Sequence, residues 1–212
     1  MNGQDAGQPK TYAAPDLARS YPLAGPGRDG HPTQVARLAL ALFDQLADHH
    51  GLGPRQRRLL ECAARLHDIG WVGGRRKHHK RSMQLIQDDR SLPFKRRDRA
   101  LIAQIARYHR KALPSLRHQG FAALDPSDRA LVRLLAGLLR VADGLDYRHL
   151  NNVRSVACRW MPQGLVLHCR GENSAEPECV RAKQKGDLLE KVLRRPLTVV
   201  HEVWPAGERE KR

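Results

Sequence analysis

The chain has 212 residues, 41% of them hydrophobic, with 38 Lys and Arg against 22 Asp and Glu, a formal charge of +16 and a pI near 10.5. At about 100 to 200 residues per domain this allows one full core and a small appended unit, and the charge favours polyanionic partners such as phosphate chains, nucleotides or nucleic acid. No apolar run approaches the ~20 residues of a membrane span, Met1 to Asp5 lack the basic and apolar regions of a secretion signal, and Cys62, Cys158, Cys169 and Cys179 form no CxxC pair, so reduced thiols and a cytoplasmic location are expected.

Residues 1–30 are rich in Gly and Pro and end in Pro26-Gly27-Arg28-Asp29-Gly30, which predicts a flexible tail or linker. From His31 the apolar positions Val35, Leu38, Leu42 and Leu46 recur every three or four residues, an amphipathic helix ending at Gly51-Leu52-Gly53-Pro54. Arg55 to Asp68 repeats the pattern through Leu59, Leu60, Ala63 and Leu66, until Gly70, Gly73 and Gly74 break it. A basic loop, Arg75-Arg76-Lys77, leads into His78-His79-Lys80-Arg81-Ser82 and a helix carrying Met83, Leu85 and Ile86. Arg97 to Tyr108 predicts the next helix, with His109 at its end and Pro114 closing regular structure. Asp125-Pro126-Ser127 reads as an N-cap for the most apolar helix, Asp128 to Leu145, whose Leu131, Leu134, Leu135, Leu138, Val141 and Ala142 face inward. The period then changes. Val153 to Cys158, Leu165 to Leu167 and Leu197 to Val203 read as three short strands, with one helix from Pro177 to Leu193 between the last two. The expected fold is therefore mainly α, a helical domain over 31–150 with a small α+β extension over 151–212.

Chemistry concentrates at helix ends. His67 and Asp68 stand side by side where an apolar helix stops, and Asp143 lies within an apolar run, an expensive place for a carboxylate without a cation. His31, His78, His79 and His109 supply further imidazoles on successive elements. Mixed imidazole and carboxylate donors suit Mn, Fe, Co, Ni or Zn, with Mg as a further candidate, and five or six such groups could hold one ion or two bridged by Asp68. A divalent ion activates water, and nearby guanidinium groups neutralise phosphoryl oxygens, so the set points to hydrolysis at phosphorus. Asp68 is the candidate for orienting water or bridging ions. Arg75, Lys80 and Arg110 are the candidates for holding the phosphate, among the basic residues that flank His78, His79 and His109.

The order His, His-Asp, His, His, Asp resembles the HD-domain superfamily of metal-dependent phosphohydrolases. More closely, Ala64-Arg65-Leu66-His67-Asp68-Ile69-Gly70-Trp71, Lys77-His78-His79-Lys80-Arg81-Ser82, Ala106-Arg107-Tyr108-His109-Arg110-Lys111-Ala112-Leu113-Pro114 and Leu139-Arg140-Val141-Ala142-Asp143-Gly144-Leu145-Asp146 resemble the C-terminal HD domain of the exopolyphosphatase and guanosine pentaphosphate phosphatase (Ppx/GppA) family. The resemblance implies an HD helical bundle and a substrate such as polyphosphate or a phosphorylated nucleotide. That family's accepted phosphatase site lies in N-terminal actin-like domains, for which the residues before His31 are too few. Two readings follow: a metal-dependent phosphohydrolase using this site, or a non-catalytic module that binds polyphosphate or nucleotide. For the third imidazole, the HD spacing relative to Ser82 selects His78, while the closer family also admits His79. Nucleic acid is the weaker partner, since aromatics are only 5%, and the pattern leaves room for a homodimer.

Overall fold

The computed structural model describes residues 30–171 and 175–203. The expected N-terminal tail lies outside them, apart from Gly30. The described helices are α1 (His31–Gln45), α2 (Ala47–His50), α3 (Pro54–Leu66), α4 (His78–Asp88), α5 (Arg96–Arg107), α6 (Gln119–Ala122), α7 (Pro126–Gly144), α8 (Glu176–Lys185) and α9 (Asp187–Leu193). A 3-10 turn, Ile69–Gly73, links α3 to α4, and the strands are β1 (Val153–Met161), β2 (Gly164–Gly171) and β3 (Leu197–Val203). The protein is thus mainly helical with a small C-terminal three-stranded sheet, as the sequence periods predict.

The apolar stripes of α1, α3 and α5 converge on α7, which also receives α8 and α9 from the C-terminal unit. Two glycines one heptad apart make the second approach possible. A Cβ at Gly137 would stand 3.2 Å from Leu189 Cα, and one at Gly144 would stand 2.5 Å from Ala182 Cα, so α9 and α8 lie against bare α7 backbone. This explains a difference from the expected burial of α7. Leu131 and Leu134, near its start, are only half-buried, whereas everything from Leu135 to Ala142 is buried because α8 and α9 cover the second side. Asp125 does occupy the N-cap of α7, but its side chain makes no capping bond.

The sheet order is β1-β2-β3, with β1 and β2 antiparallel and β2 and β3 parallel across the α8–α9 connection. The single helix expected from Pro177 to Leu193 is two helices, divided at Gly186. A Cβ at Gly186 would lie 2.5 Å from Leu197 Cδ2, so the start of β3 takes the space a side chain would need. The free edge of β1 is covered by α1. Gln34 Nε2 donates to Val153 O at 2.6 Å, Gln45 Nε2 donates to Val156 O at 2.8 Å, and Cys158 N donates to Gln45 Oε1 at 2.8 Å, which protects an otherwise exposed ladder. All four cysteines are free thiols, and burial pushes those of Cys62 and Cys158 up to about 12.

Candidate metal centre

The ends of α3 and α5 present their histidines in the same way. An α-helix leaves its last carbonyls without intrahelical donors. His67 Nδ1 donates to Ala64 O at 2.6 Å, and His109 Nδ1 donates to Ala106 O at 2.7 Å. His78 at the first turn of α4 does likewise to Arg75 O at 3.1 Å. A carbonyl only accepts, so in each ring the proton sits on Nδ1 and the Nε2 lone pair faces inward. His31 Nδ1 instead bonds Asp146 Oδ2 at 2.7 Å, and Asp146 Oδ1 accepts from Asn151 N at 2.9 Å. Asp146 is fully buried and holds the His31 ring as an outer carboxylate holds a ligating imidazole.

These lone pairs meet around Asp68. On one side, His78 Nε2 lies 3.1 Å and His109 Nε2 3.5 Å from Asp68 Oδ1, and the two nitrogens are 3.2 Å apart. On the other, Asp68 Oδ2 lies 3.6 Å from His67 Nε2 and 3.9 Å from His31 Nε2, while Asp143 Oδ1 stands 3.3 Å from His31 Nε2 and 3.7 Å from His67 Nε2. His31 Nε2, His67 Nε2 and Asp68 Oδ1 are buried without a hydrogen-bond partner. Acceptors crowded in this way in a low-dielectric interior, where Lys185 on Asp143 and Arg110 near His78 are the cations that reach them among the described residues, repel one another unless a further cation joins them. Donor atoms about 2.1 Å from a shared ion stand about 3.0 to 3.4 Å apart, close to the spacing here. The donor set fits divalent metal, and the two oxygens of Asp68 face separate groups.

The candidate ligands also have shifted protonation equilibria. Burial pulls the His67 imidazole down to about 4 and drives His109 well below its ordinary value, leaving both neutral. Burial pushes the Asp68 carboxyl up, but the protonated forms of His67, His78 and His109 outweigh it and hold the carboxyl well below its usual range. The turn between α3 and α4 is tight because Gly70 N donates to Ser82 Oγ at 2.9 Å and Arg81 donates to Gly70 O at 2.6 Å. A Cβ at Gly70 would lie 2.3 Å from His78 O, so only glycine lets α4 bring His78 beside Asp68.

A cavity of about 580 Å³ opens on the cluster, its lining including Asp68, His78, His109, Asp143, Arg75 and Arg110. Of the sequence candidates, His31, His67, Asp68, His78, His109 and Asp143 are brought together. His79 is not among them: its ring stands edge-on, 6.0 Å from that of His78 and 6.3 Å from that of His109. Arg75 and Arg110 line the cavity, and Arg110 Nη1 reaches 3.4 Å from His78 Nε2. Lys80 points elsewhere, exposed and outside the lining, because the α4 turn that directs His78 inward turns its neighbour two residues on to solvent.

Several site residues carried no signal in the sequence. Lys185 at the end of α8 contacts Asp143 Oδ2, and burial lowers its ammonium to about 7. Arg181, one turn earlier, lines the same cavity, with Tyr147, Leu150 and Arg148. Arg148 is neutralised by Glu178 through bonds of 2.7 and 2.8 Å. Trp71 stacks on His78 at 5.0 Å, and His149 stacks on His31 at 3.7 Å. Asp146 was visible in Ala142-Asp143-Gly144-Leu145-Asp146 as a residue but not as the partner of His31.

Residues 29–169 match the family described as Ppx/GppA phosphatase, domain III. The chain belongs to the Ppx/GppA phosphatase family. Over 103 residues it is 38% identical to a guanosine-5'-triphosphate,3'-diphosphate pyrophosphatase of Vibrio vulnificus (strain YJ016), an alignment that takes in 48% of this chain and 20% of that protein. The chain thus spans about a fifth of the length of this curated Ppx/GppA relative. The domain III match contains every residue of the histidine and aspartate cluster and stops before α8, which brings Lys185 and Arg181.

Proposed function

We propose that this Ppx/GppA domain III is a divalent-metal-dependent phosphohydrolase acting on polyphosphate or a phosphorylated nucleotide. The observation that carries the reading is the crowding of acceptor atoms around Asp68, with His31, His67 and Asp143 on one side and His78 and His109 on the other. A bound divalent ion would supply activation of water and neutralisation of phosphoryl charge. The protein's own part is to hold the imidazoles in one tautomer, through the Ala64, Ala106 and Arg75 carbonyls and the Asp146 carboxylate, and to keep Asp68 ionised between the two groups. Arg75 and Arg110, beside the cluster in the cavity, would take the oxygens of the bound phosphate and oppose the charge that grows on the leaving group. The name of the Vibrio relative, a pyrophosphatase of a guanosine polyphosphate, supports the same substrate class. The alternative, a module that binds such anions without hydrolysing them, uses the same residues and differs only in turnover.

The deciding assay measures phosphate release from polyphosphate, guanosine polyphosphates, nucleotides and an aryl phosphate with Mn, Mg, Co, Ni or Zn. Turnover that disappears in Asp68→Ala is expected. Binding of these anions without turnover by any metal-loaded form would overturn the hydrolase in favour of the binding module.

A further inference from the structure

Adjoining the cavity of the candidate metal centre is a second concavity of about 170 Å³, lined by Arg110, Lys111, Arg140, Arg181, Gln184 and Lys185. It shares Arg110, Arg181 and Lys185 with the first, so the two are joined along one wall. No carboxylate lines it among the described residues. Two of its cations are balanced from outside: Arg140 by Asp187 at 2.8 Å and by the carbonyls of Tyr108 and Lys185, and Lys185 by Asp143. Arg110, Lys111 and Arg181 have no carboxylate partner among the described residues. Arg181 instead donates to Gln184 Oε1 at 3.0 Å and lies over the Tyr147 ring at 5.1 Å.

The fold builds this arrangement through one contact. The crossing of α7 and α8 at Gly144 and Ala182 sets Arg181 and Lys185, four residues apart and hence on one face of α8, against the segment that carries Asp143. From the other side, the chain leaving α5 after His109 presents Arg110 and then Lys111, the latter held in a left-handed conformation at φ 60°. Arg110, Lys111 and Arg181 converge there without a carboxylate partner among the described residues, which favours an anion in the hollow.

The geometry points to a second phosphate subsite at this hollow, which takes the next anionic group of a condensed phosphate chain whose terminal phosphoryl occupies the histidine and aspartate cluster. The first of these positions rests on the function proposed above; the second stands on its own cations. The chain can be inorganic or carried on a nucleoside, because the hollow reads phosphate charge alone. A monophosphate ester fills only the first position.

Lys111 is exposed and lines the second hollow but not the first, which makes Lys111→Glu the informative variant, with the charge-matched Lys191→Glu on α9 as its control. Calorimetric titration of tripolyphosphate, guanosine triphosphate and orthophosphate into the full chain, with and without Mn, reads each position separately. Lys111→Glu is expected to weaken tripolyphosphate and guanosine triphosphate by ~tenfold or more while Lys191→Glu changes them less than about twofold. Orthophosphate binding and Mn stoichiometry should match the parent in both. Equal loss in the two variants, or equal loss of orthophosphate and tripolyphosphate in Lys111→Glu, overturns the subsite. If the parent binds no metal, the phosphohydrolase reading fails, yet a difference between the variants in metal-free tripolyphosphate binding still upholds the subsite.

Discussion

At the scale of single residues, the centre is organised by what sits on the far side of each imidazole. Three of the four rings lean on backbone carbonyls, which mutation cannot easily remove, but His31 leans on the side chain of Asp146. Asp146→Asn keeps the shape while its amide, turned toward His31, offers a donor where the ring needs an acceptor. His31 must then carry its proton on Nε2, facing Asp143 and Asp68, and cannot ligate. Outer-shell losses of this kind cost about 10- to 100-fold in metal affinity, and that loss is expected for Mn or Zn by titration calorimetry. An affinity equal to the parent's would remove His31 from the ligand set.

At the scale of elements, α7 decides the architecture, because its glycines at 137 and 144 let a second layer dock on a helix already packed on three others. Gly144→Val places a side chain where Ala182 backbone stands 2.5 Å from the Cβ position, and no rotamer relieves a clash with backbone. A loss of about 1 to 3 kcal/mol or more is expected, read as a fall in Tm together with earlier proteolysis within α8 and β3. A fully stable variant with unchanged cleavage would mean that α8 does not depend on this crossing. The same contact separates what was legible in the sequence from what was not. The helices ending at His67-Asp68 and at His109, and Asp143, announce themselves through local period and through the expense of a carboxylate in an apolar run. Lys185 and Arg181 do not, since they read as ordinary solvated charges on a helix until the Gly144–Ala182 crossing turns that face toward the histidine and aspartate cluster. The break at Gly186 was hidden for a similar reason, because it is imposed by Leu197 of β3 rather than by the helix itself.

At the scale of the whole molecule, the histidine and aspartate cluster ties stability to pH through groups that folding keeps neutral. In the unfolded chain an imidazole takes up its proton near 6.5, whereas burial holds His67 at about 4 and His109 well below 6.5. Between these values the unfolded state binds protons that the folded state refuses, so stability rises with pH across this window and is lost as pH falls from 6.5 toward 4. For His67 alone the loss is on the order of 3 kcal/mol at most. A divalent metal bound as proposed would compete with the same protons for the same nitrogens, and at 100 times its Kd it would add about 2.7 kcal/mol of stability near neutral pH. Thermal unfolding of chelator-treated and Mn-loaded protein between about pH 7.5 and pH 4.5 tests both effects together. The metal-free Tm is expected to fall steadily below about pH 6.5, and the increment from Mn to be largest at the neutral end and to vanish toward the acidic one. A metal-free Tm that stays level across this range would show that the buried histidines are not held neutral by the fold. An increment undiminished at the acidic end would place the ion on groups other than these imidazoles.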